Sequence, residues 1–202
     1  MFCVLDDLGS RSISQQDRWA AINALSLTAA VPESVLIHYE TARNLYLYAW
    51  NVYRFHVVAE QQVLATLEFA LRLRAEQLTL IDQAERRKPG LSQLLQLAQG
   101  HGLISNKRLR ARRKWAIGLA AARRDLEQVQ FMETHGLTSL ELSDAPAKPT
   151  EEDLAHDWIG IFVGSLPKIR NQYAHGSPML HATVLRTFEI VAELVDQLFE
   201  PA

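Results

Sequence analysis

The sequence lacks several features that define common protein classes. It has one cysteine, Cys3, which excludes an internal disulfide and a structural zinc site built from several thiolates. It has no Walker-type glycine loop, GxGxxG, HExxH or CxxC motif. The longest strongly apolar stretch, Trp158 to Leu166, is too short to span a bilayer, and the opening residues MFCVLDDLGS have acids where a secretory signal needs basic and apolar ones. We therefore expect a cytoplasmic protein that does not enter a membrane.

Glycine and proline are also absent between Glu33 and Lys88, where apolar residues recur at helical spacing. Pro32 suits the first turn of a helix, because the N–H that proline lacks has no partner there. The pattern predicts one long helix, or two abutting helices, over about 32–80. The alternating pattern that is typical of strands is scarce throughout the chain.

Turn and capping residues divide the rest of the chain into shorter helices. They predict helices over about 13–30, 92–98, 105–134, 150–174 and 178–198, with Ser92 and Thr150 as caps. An irregular connector is expected at 137–149. The sequence thus predicts a single all-α domain over 1–202, a bundle of about five to seven helices joined by short turns.

Acidic residues are missing from one long window. Of the 21 Lys and Arg residues, 11 lie between Arg86 and Arg124, and this basic segment (86–124) has no Asp or Glu. The rest of the chain holds the other 10 bases and all 23 acids, a net charge of −13. Such segregation is typical of a surface that attracts phosphates, or of a solvated helix face balanced by acids elsewhere in the fold. Its densest part, the basic run, supplies the candidate nucleic-acid contacts Lys107, Arg108, Arg110, Arg112, Arg113 and Lys114.

One short stretch, LPKIRNQYAHG at 166–176, combines residue types suited to phosphate chemistry. Asn171 and His175 are four residues apart, so they share one face of a helix. Arg170 lies about 140° from His175 around an ideal helix, within reach of a long guanidinium side chain. Imidazole transfers protons near neutral pH, and guanidinium holds phosphoryl oxygens. The three side chains together can support attack of an RNA 2′-hydroxyl on the adjacent phosphate without a metal.

The order Arg170, Asn171, three further residues, His175 and Gly176 resembles the Rx4–6H motif of HEPN domains (higher eukaryotes and prokaryotes nucleotide-binding). The segment LEFALR at 67–72 is also similar to segments of such proteins. The resemblance implies an all-helical and often dimeric protein. In ribonuclease members, Arg and His from two subunits form one metal-independent cleft that cuts RNA. Many members are toxins or act in phage defence, whereas others are non-catalytic binding modules.

The resemblance implies a role for each candidate residue. Arg170 would stabilise charge on the scissile phosphate, His175 would be the general acid or base, and Asn171 would position the phosphate or the arginine. Candidates for the pocket lining or a polar shell behind it are Tyr173, Glu68 and Arg72. The basic run would guide RNA to the cleft. No cofactor is implied, and the expected partners are RNA, a second copy in a homodimer and a protein such as an antitoxin.

Other interpretations stay open. Arg170 can instead pair with an acid while His175 caps a carbonyl, in a helical module that binds a protein or nucleic acid through the basic segment. A role in nucleotide modification or sensing is a further alternative, although no phosphate loop supports it. A candidate metal set on one predicted helix face, Asp153, His156 and Asp157, is better explained by acids in the first turn of a helix and a surface histidine.

Overall fold

The computed structural model describes residues 3–6, 9–82, 88–140, 146–174 and 184–200. In these residues a short antiparallel β-hairpin precedes eight α-helices, which confirms the predicted all-α fold class. The elements are β1 (Cys3–Asp6), β2 (Gly9–Ser12), α1 (Gln15–Asn23), α2 (Glu33–Tyr48), α3 (Phe55–Gln77), α4 (Leu91–Gly100), α5 (Arg112–His135), α6 (Glu151–Ala155), α7 (Trp158–Ala174) and α8 (Val184–Phe199). No helix in the described ranges is both long and apolar enough to cross a membrane.

The chain forms two compact units. Unit 1 comprises residues 1–104 and 161–202, and unit 2 comprises residues 105–160. Helix α7 therefore has its first residues in unit 2 and the remainder in unit 1. The sequence predicts one domain over 1–202. The described parts of the predicted connector, 137–140 and 146–149, contain neither helix nor strand.

Helix α3 is the centre of unit 1 and packs against α2, α4 and α8. Val63, Leu64, Leu67 and Leu71 are at most 2% exposed, and their helical spacing aligns them on one stripe. Helix α8 is buried around most of its circumference, as its sequence VLRTFEIVAELVDQLF suggests. The described core of unit 1 is therefore a helical bundle around α3.

The sequence predicts one long helix or two abutting helices over 32–80. The structure has two helices there, α2 and α3. In α2, Tyr39 and Tyr46 are buried and meet Phe188 of α8 edge to face. Trp50 and Tyr53, which the helix predicted over 32–80 includes, are nearly half exposed because they lie in the connection between α2 and α3.

Several helix ends follow local capping rules. Thr150 caps α6 as the sequence predicts, and it exchanges reciprocal capping-box hydrogen bonds with Asp153. Gly136 ends α5 with a φ of 63°, a left-handed conformation that favours glycine. Helix α4 starts slightly earlier than predicted, because Gly90 rather than Ser92 occupies its cap position. Pro167 lies inside α7 without ending it.

The helix predicted over 105–134 in unit 2 begins only at Arg112. Asn106 opens a short 3₁₀ turn, and Leu109 is extended and buried. The Asn106 side chain is fixed elsewhere, since its Oδ1 accepts the backbone N–H of Ile159 at 3.0 Å. These two anchors hold the backbone between them out of the α-helical conformation.

The helix predicted over 150–174 is divided at His156, whose backbone is extended with a ψ of 134°. Asp157 then caps α7, because its Oδ1 accepts the backbone N–H of Gly160 at 2.9 Å. This N–H, and then the Asn106 amide, lower the pKa of Asp157. Asp153 belongs to α6, so the three residues of the candidate metal set do not share one helix face.

His56, in the first turn of α3, is buried beside a cation. Its Nε2 lies 2.7 Å from Nη2 of Arg18, and a guanidinium only donates, so that ring nitrogen is the acceptor. Burial, and then the Arg18 charge, lower the pKa of His56 to about 4. The Arg18 guanidinium also lies over the ring of Tyr46, 4.8 Å from its centroid.

Acidification below about pH 6.5 is expected to destabilise unit 1 through His56. Unfolded histidine binds a proton near pH 6.5, whereas native His56 binds one only near pH 4, so the unfolded state holds more protons in this window. Stability should therefore fall as the pH falls from 6.5 towards 4, by at most about 1.4 kcal/mol per pH unit. Urea midpoints between pH 5 and 7.5 measure this slope. His56→Gln should flatten it, and His101→Gln, at an exposed histidine, should leave it unchanged.

Candidate functional site

A cleft of about 320 Å³ lies in unit 1 where α3, the start of α4 and the last turns of α7 meet. Its volume is at the lower end of the range for small-ligand sites. Glu68 lines it from α3, and Pro167, Arg170 and Asn171 line it from α7. The fourth wall is the segment Gly90–Gln93. Two residues of the predicted catalytic group and one predicted shell residue therefore share one cleft.

The buried face of α7 determines where these side chains point. Phe162, Leu166 and Tyr173 are buried at intervals of four and seven residues, which places them on one stripe towards the core. Arg170 falls at the border of this stripe, and its side chain is 41% exposed. Asn171 falls on the opposite side and is exposed. Although Arg170 and Asn171 lie on different sides of α7, both side chains line the cleft.

Glu68 is shared by two guanidinium groups. Its Oε1 accepts a hydrogen bond from Nη2 of Arg72 at 2.9 Å, and its Oε2 lies 3.4 Å from Nη2 of Arg170. The Glu68 side chain is 15% exposed. One carboxylate between two cations leaves a net positive charge in this ion cluster, and Arg170 is the more exposed of the two cations.

Arg72 also supports the wall of the cleft. Its Nη2 donates to the carbonyl oxygen of Pro89 at 3.4 Å, directly before the cap of α4. Gln93 reinforces this cap, because its Oε1 accepts the Gly90 N–H at 3.2 Å. On the other side of the cleft, Oδ1 of Asn171 lies 3.5 Å from Nη1 of Arg170, at the long limit for a hydrogen bond. Arg72 therefore connects the ion cluster to the start of α4.

Tyr173, predicted to line the pocket or to lie in the polar shell behind it, is buried in the core and is not among the residues that line the described cleft. Its side chain is 6% exposed, and its hydroxyl donates to Oε2 of Glu60 at 2.5 Å. The hydroxyl of Thr187 donates to Oε1 of the same carboxylate at 2.5 Å. Burial, and then the hydrogen bond to Glu60, raise the pKa of Tyr173. Tyr173 thus anchors the end of α7 to Glu60 of α3, to which Thr187 of α8 is also bonded.

His175 is the residue after Ala174, the last residue of α7, and lies outside the described residues. The start of the helix predicted over 178–198 lies outside them as well. Arg170 is in the final turn of α7. The pairing of Arg170 with His175 therefore stays a prediction from their spacing.

The basic run belongs to unit 2, which contains nine bases and nine acids and has no formal net charge. Arg112 is engaged within the unit, since its Nε donates to the carbonyl of Leu154 at 2.6 Å. Further along α5, Arg123 makes a two-point ion pair with Asp153 that holds the pKa of this carboxyl well below its usual range. Arg108 is half-buried. The remaining residues of the run are exposed: Lys107, Arg110, Arg113 and Lys114.

No match was found when the chain was compared with protein-family models, with curated proteins and with solved structures. The resemblance to HEPN domains therefore stays a prediction from the motif residues. Across the described part of the chain, no group of three His, Cys, Asp or Glu residues is arranged to hold a metal ion.

Sequence reasoning did not include the wall formed by Gly90–Gln93. The available signal was the break at Pro89 and Gly90, which marks the start of a helix. A start signal does not indicate which other helices lie beside it. The packing of α4 against α3 places this wall next to the ion cluster.

Proposed function

We propose that the protein is a metal-independent endoribonuclease of the HEPN type that acts at the cleft of Arg170 and Asn171. The observation that carries the proposal is the location of Glu68, Arg170 and Asn171 in one cleft. Glu68 and Arg170 are far apart in the chain. Glu68 is a candidate from the LEFALR segment at 67–72, and Arg170 is a candidate from the motif with His175. A half-exposed guanidinium at a cleft of this size is suited to bind a phosphodiester.

In the proposed reaction, the 2′-oxygen of a ribose attacks the adjacent phosphorus, and the bond from phosphorus to the 5′-oxygen breaks. The 2′-hydroxyl gives up a proton, and the leaving 5′-oxygen takes one. His175 carries one of these proton transfers, and Arg170 stabilises the charge that develops on the phosphoryl oxygens. The products are a 2′,3′-cyclic phosphate and a 5′-hydroxyl.

The proposal includes the partners that the resemblance implies. The active unit is a homodimer in which Arg170 and His175 of both copies line a shared cleft. The four exposed cations of the basic run draw RNA to the protein through its phosphates. The proposed biological role is that of a toxin, with an antitoxin or another protein as its partner, or that of a phage-defence effector.

Cleavage of RNA in EDTA by the purified full chain tests the proposal. A labelled RNA oligonucleotide should be cut into products with 2′,3′-cyclic phosphate and 5′-hydroxyl ends. A 2′-O-methyl oligonucleotide of the same sequence should stay intact, because its 2′-oxygen cannot attack. His175→Ala should lower the rate about 10²–10⁴-fold, as expected for the loss of a general acid or base.

Three results would contradict the ribonuclease proposal. Products with 5′-phosphate ends would require a different reaction, and equal activity in His175→Ala would place the chemistry elsewhere. Binding of RNA without cleavage would favour the alternative, a non-catalytic helical module that binds RNA or a partner protein through the basic segment (86–124).

A further inference from the structure

We infer that Glu68 competes with the phosphate group of the ligand for Arg170, and that Arg72 retains the Glu68 carboxylate once phosphate is bound. The inference deepens the proposed function and rests on it for RNA as the ligand. Its geometric basis is the ion cluster of Glu68, Arg72 and Arg170 at the cleft. Glu68 is thus a positioning residue that tunes the affinity of the cleft for phosphate.

The two contacts of Glu68 are unequal. Arg72 donates to it at 2.9 Å and is one helical turn away on α3, so this pair is intrinsic to one helix. Arg72 is also held by the carbonyl of Pro89. Arg170 comes from another helix, lies 3.4 Å from Glu68, and is the more exposed cation. Arg170 is therefore the guanidinium that can turn to a ligand while Glu68 stays paired with Arg72.

Carboxylate and phosphate are alternative anions for the same guanidinium. Glu68 places one oxygen, Oε2, beside Nη2 of Arg170, so a phosphate oxygen that binds the same nitrogen must displace the carboxylate from it. Glu68 also repels a phosphate that enters the cleft, because both are negative. Removing the charge of Glu68 while keeping its shape should strengthen phosphate binding. An effect of about fivefold is expected for a partly exposed ion pair.

Phosphate affinity of the full chain, measured at constant ionic strength, tests this inference. The probes are inorganic phosphate, adenosine 5′-monophosphate and an uncleavable 2′-O-methyl RNA. Glu68→Gln should lower the dissociation constant about fivefold. The matched control is Glu40→Gln, which removes the same charge from an exposed side chain that pairs with Arg43 on α2, and it should leave the dissociation constant unchanged.

Arg72 provides a second test with the opposite sign. Arg72→Gln leaves Glu68 with Arg170 as its cation, so phosphate binding should weaken. In the double variant Glu68→Gln/Arg72→Gln, affinity should return to that of Glu68→Gln alone, because Arg72 acts through Glu68. A loss of fold would weaken binding in every variant and would not produce this pattern.

Each outcome decides the inference separately from the proposed function. If Glu68→Gln binds all three probes no more tightly than Glu40→Gln, or if the two substitutions are additive, the inference is wrong. Tightening with the nucleotide but not with RNA would support the competition and assign the cleft to free nucleotides. Tightening without RNA cleavage by the wild type would retain the inference and reject the ribonuclease. RNA cleavage by the wild type, without tighter phosphate binding in Glu68→Gln, would reject the inference and retain the ribonuclease.

Discussion

Replacing Arg170 with alanine is expected to lower the rate of RNA cleavage about 10²–10³-fold, the usual cost of losing one group that stabilises transition-state charge. Arg170 is the most exposed cation of the ion cluster and lines the cleft directly. Arg170→Lys keeps the charge but loses the planar two-point contact with phosphoryl oxygens, so it should recover only part of the rate. Single-turnover cleavage of a labelled RNA measures both variants.

Lys168→Ala is the matched control for Arg170→Ala. Lys168 is an exposed cation on the same helix, and it is not among the residues that line the described cleft. Lys168→Ala removes one positive charge, as Arg170→Ala does. It should change the rate of RNA cleavage less than about threefold, as expected for a surface charge. Equal losses in the two variants would mean that general attraction of RNA, and not chemistry at the cleft, depends on Arg170.

Replacing Glu60 with alanine is expected to destabilise unit 1 by about 2–5 kcal/mol. Glu60 is 2% exposed, and its two carboxylate oxygens accept the hydroxyls of Tyr173 and Thr187. The substitution leaves a cavity and two buried hydroxyls without their acceptor. Tyr173→Phe removes one donor from a buried carboxylate and should cost about 1–3 kcal/mol. Urea unfolding gives both values from the midpoint and slope.

Tyr48→Phe is the control for Tyr173→Phe, because it removes the same hydroxyl from a side chain that is 63% exposed. Its free energy of unfolding should stay within about 0.5 kcal/mol of the wild type. If Tyr173→Phe is equally mild, the hydrogen bond to Glu60 does not anchor α7. If Tyr173 anchors α7, Tyr173→Phe should also slow RNA cleavage, because Tyr173 lies three residues after Arg170 on that helix.

Part of the site could be predicted from the sequence because its residues are close in the chain. Arg170 and Asn171 are neighbours on one helix, and both line the cleft. Glu68 was proposed from similarity in a separate segment, and its contact with Arg170 depends on how α3 and α7 pack. Nothing in the sequence around Tyr173 indicates a role as an anchor. Only its burial and its hydrogen bond to Glu60 in the structure identify that role.

The helical class, the cap at Thr150 and the spacing of the motif could be predicted from the sequence, because they depend on interactions within a few residues. The positions where helices break depend on contacts between distant residues. Asn106 is held by Ile159, so α5 starts at Arg112 rather than at the predicted position. Packing of the helices also brings the walls of the cleft together and buries Glu60, because both depend on contacts between distant residues.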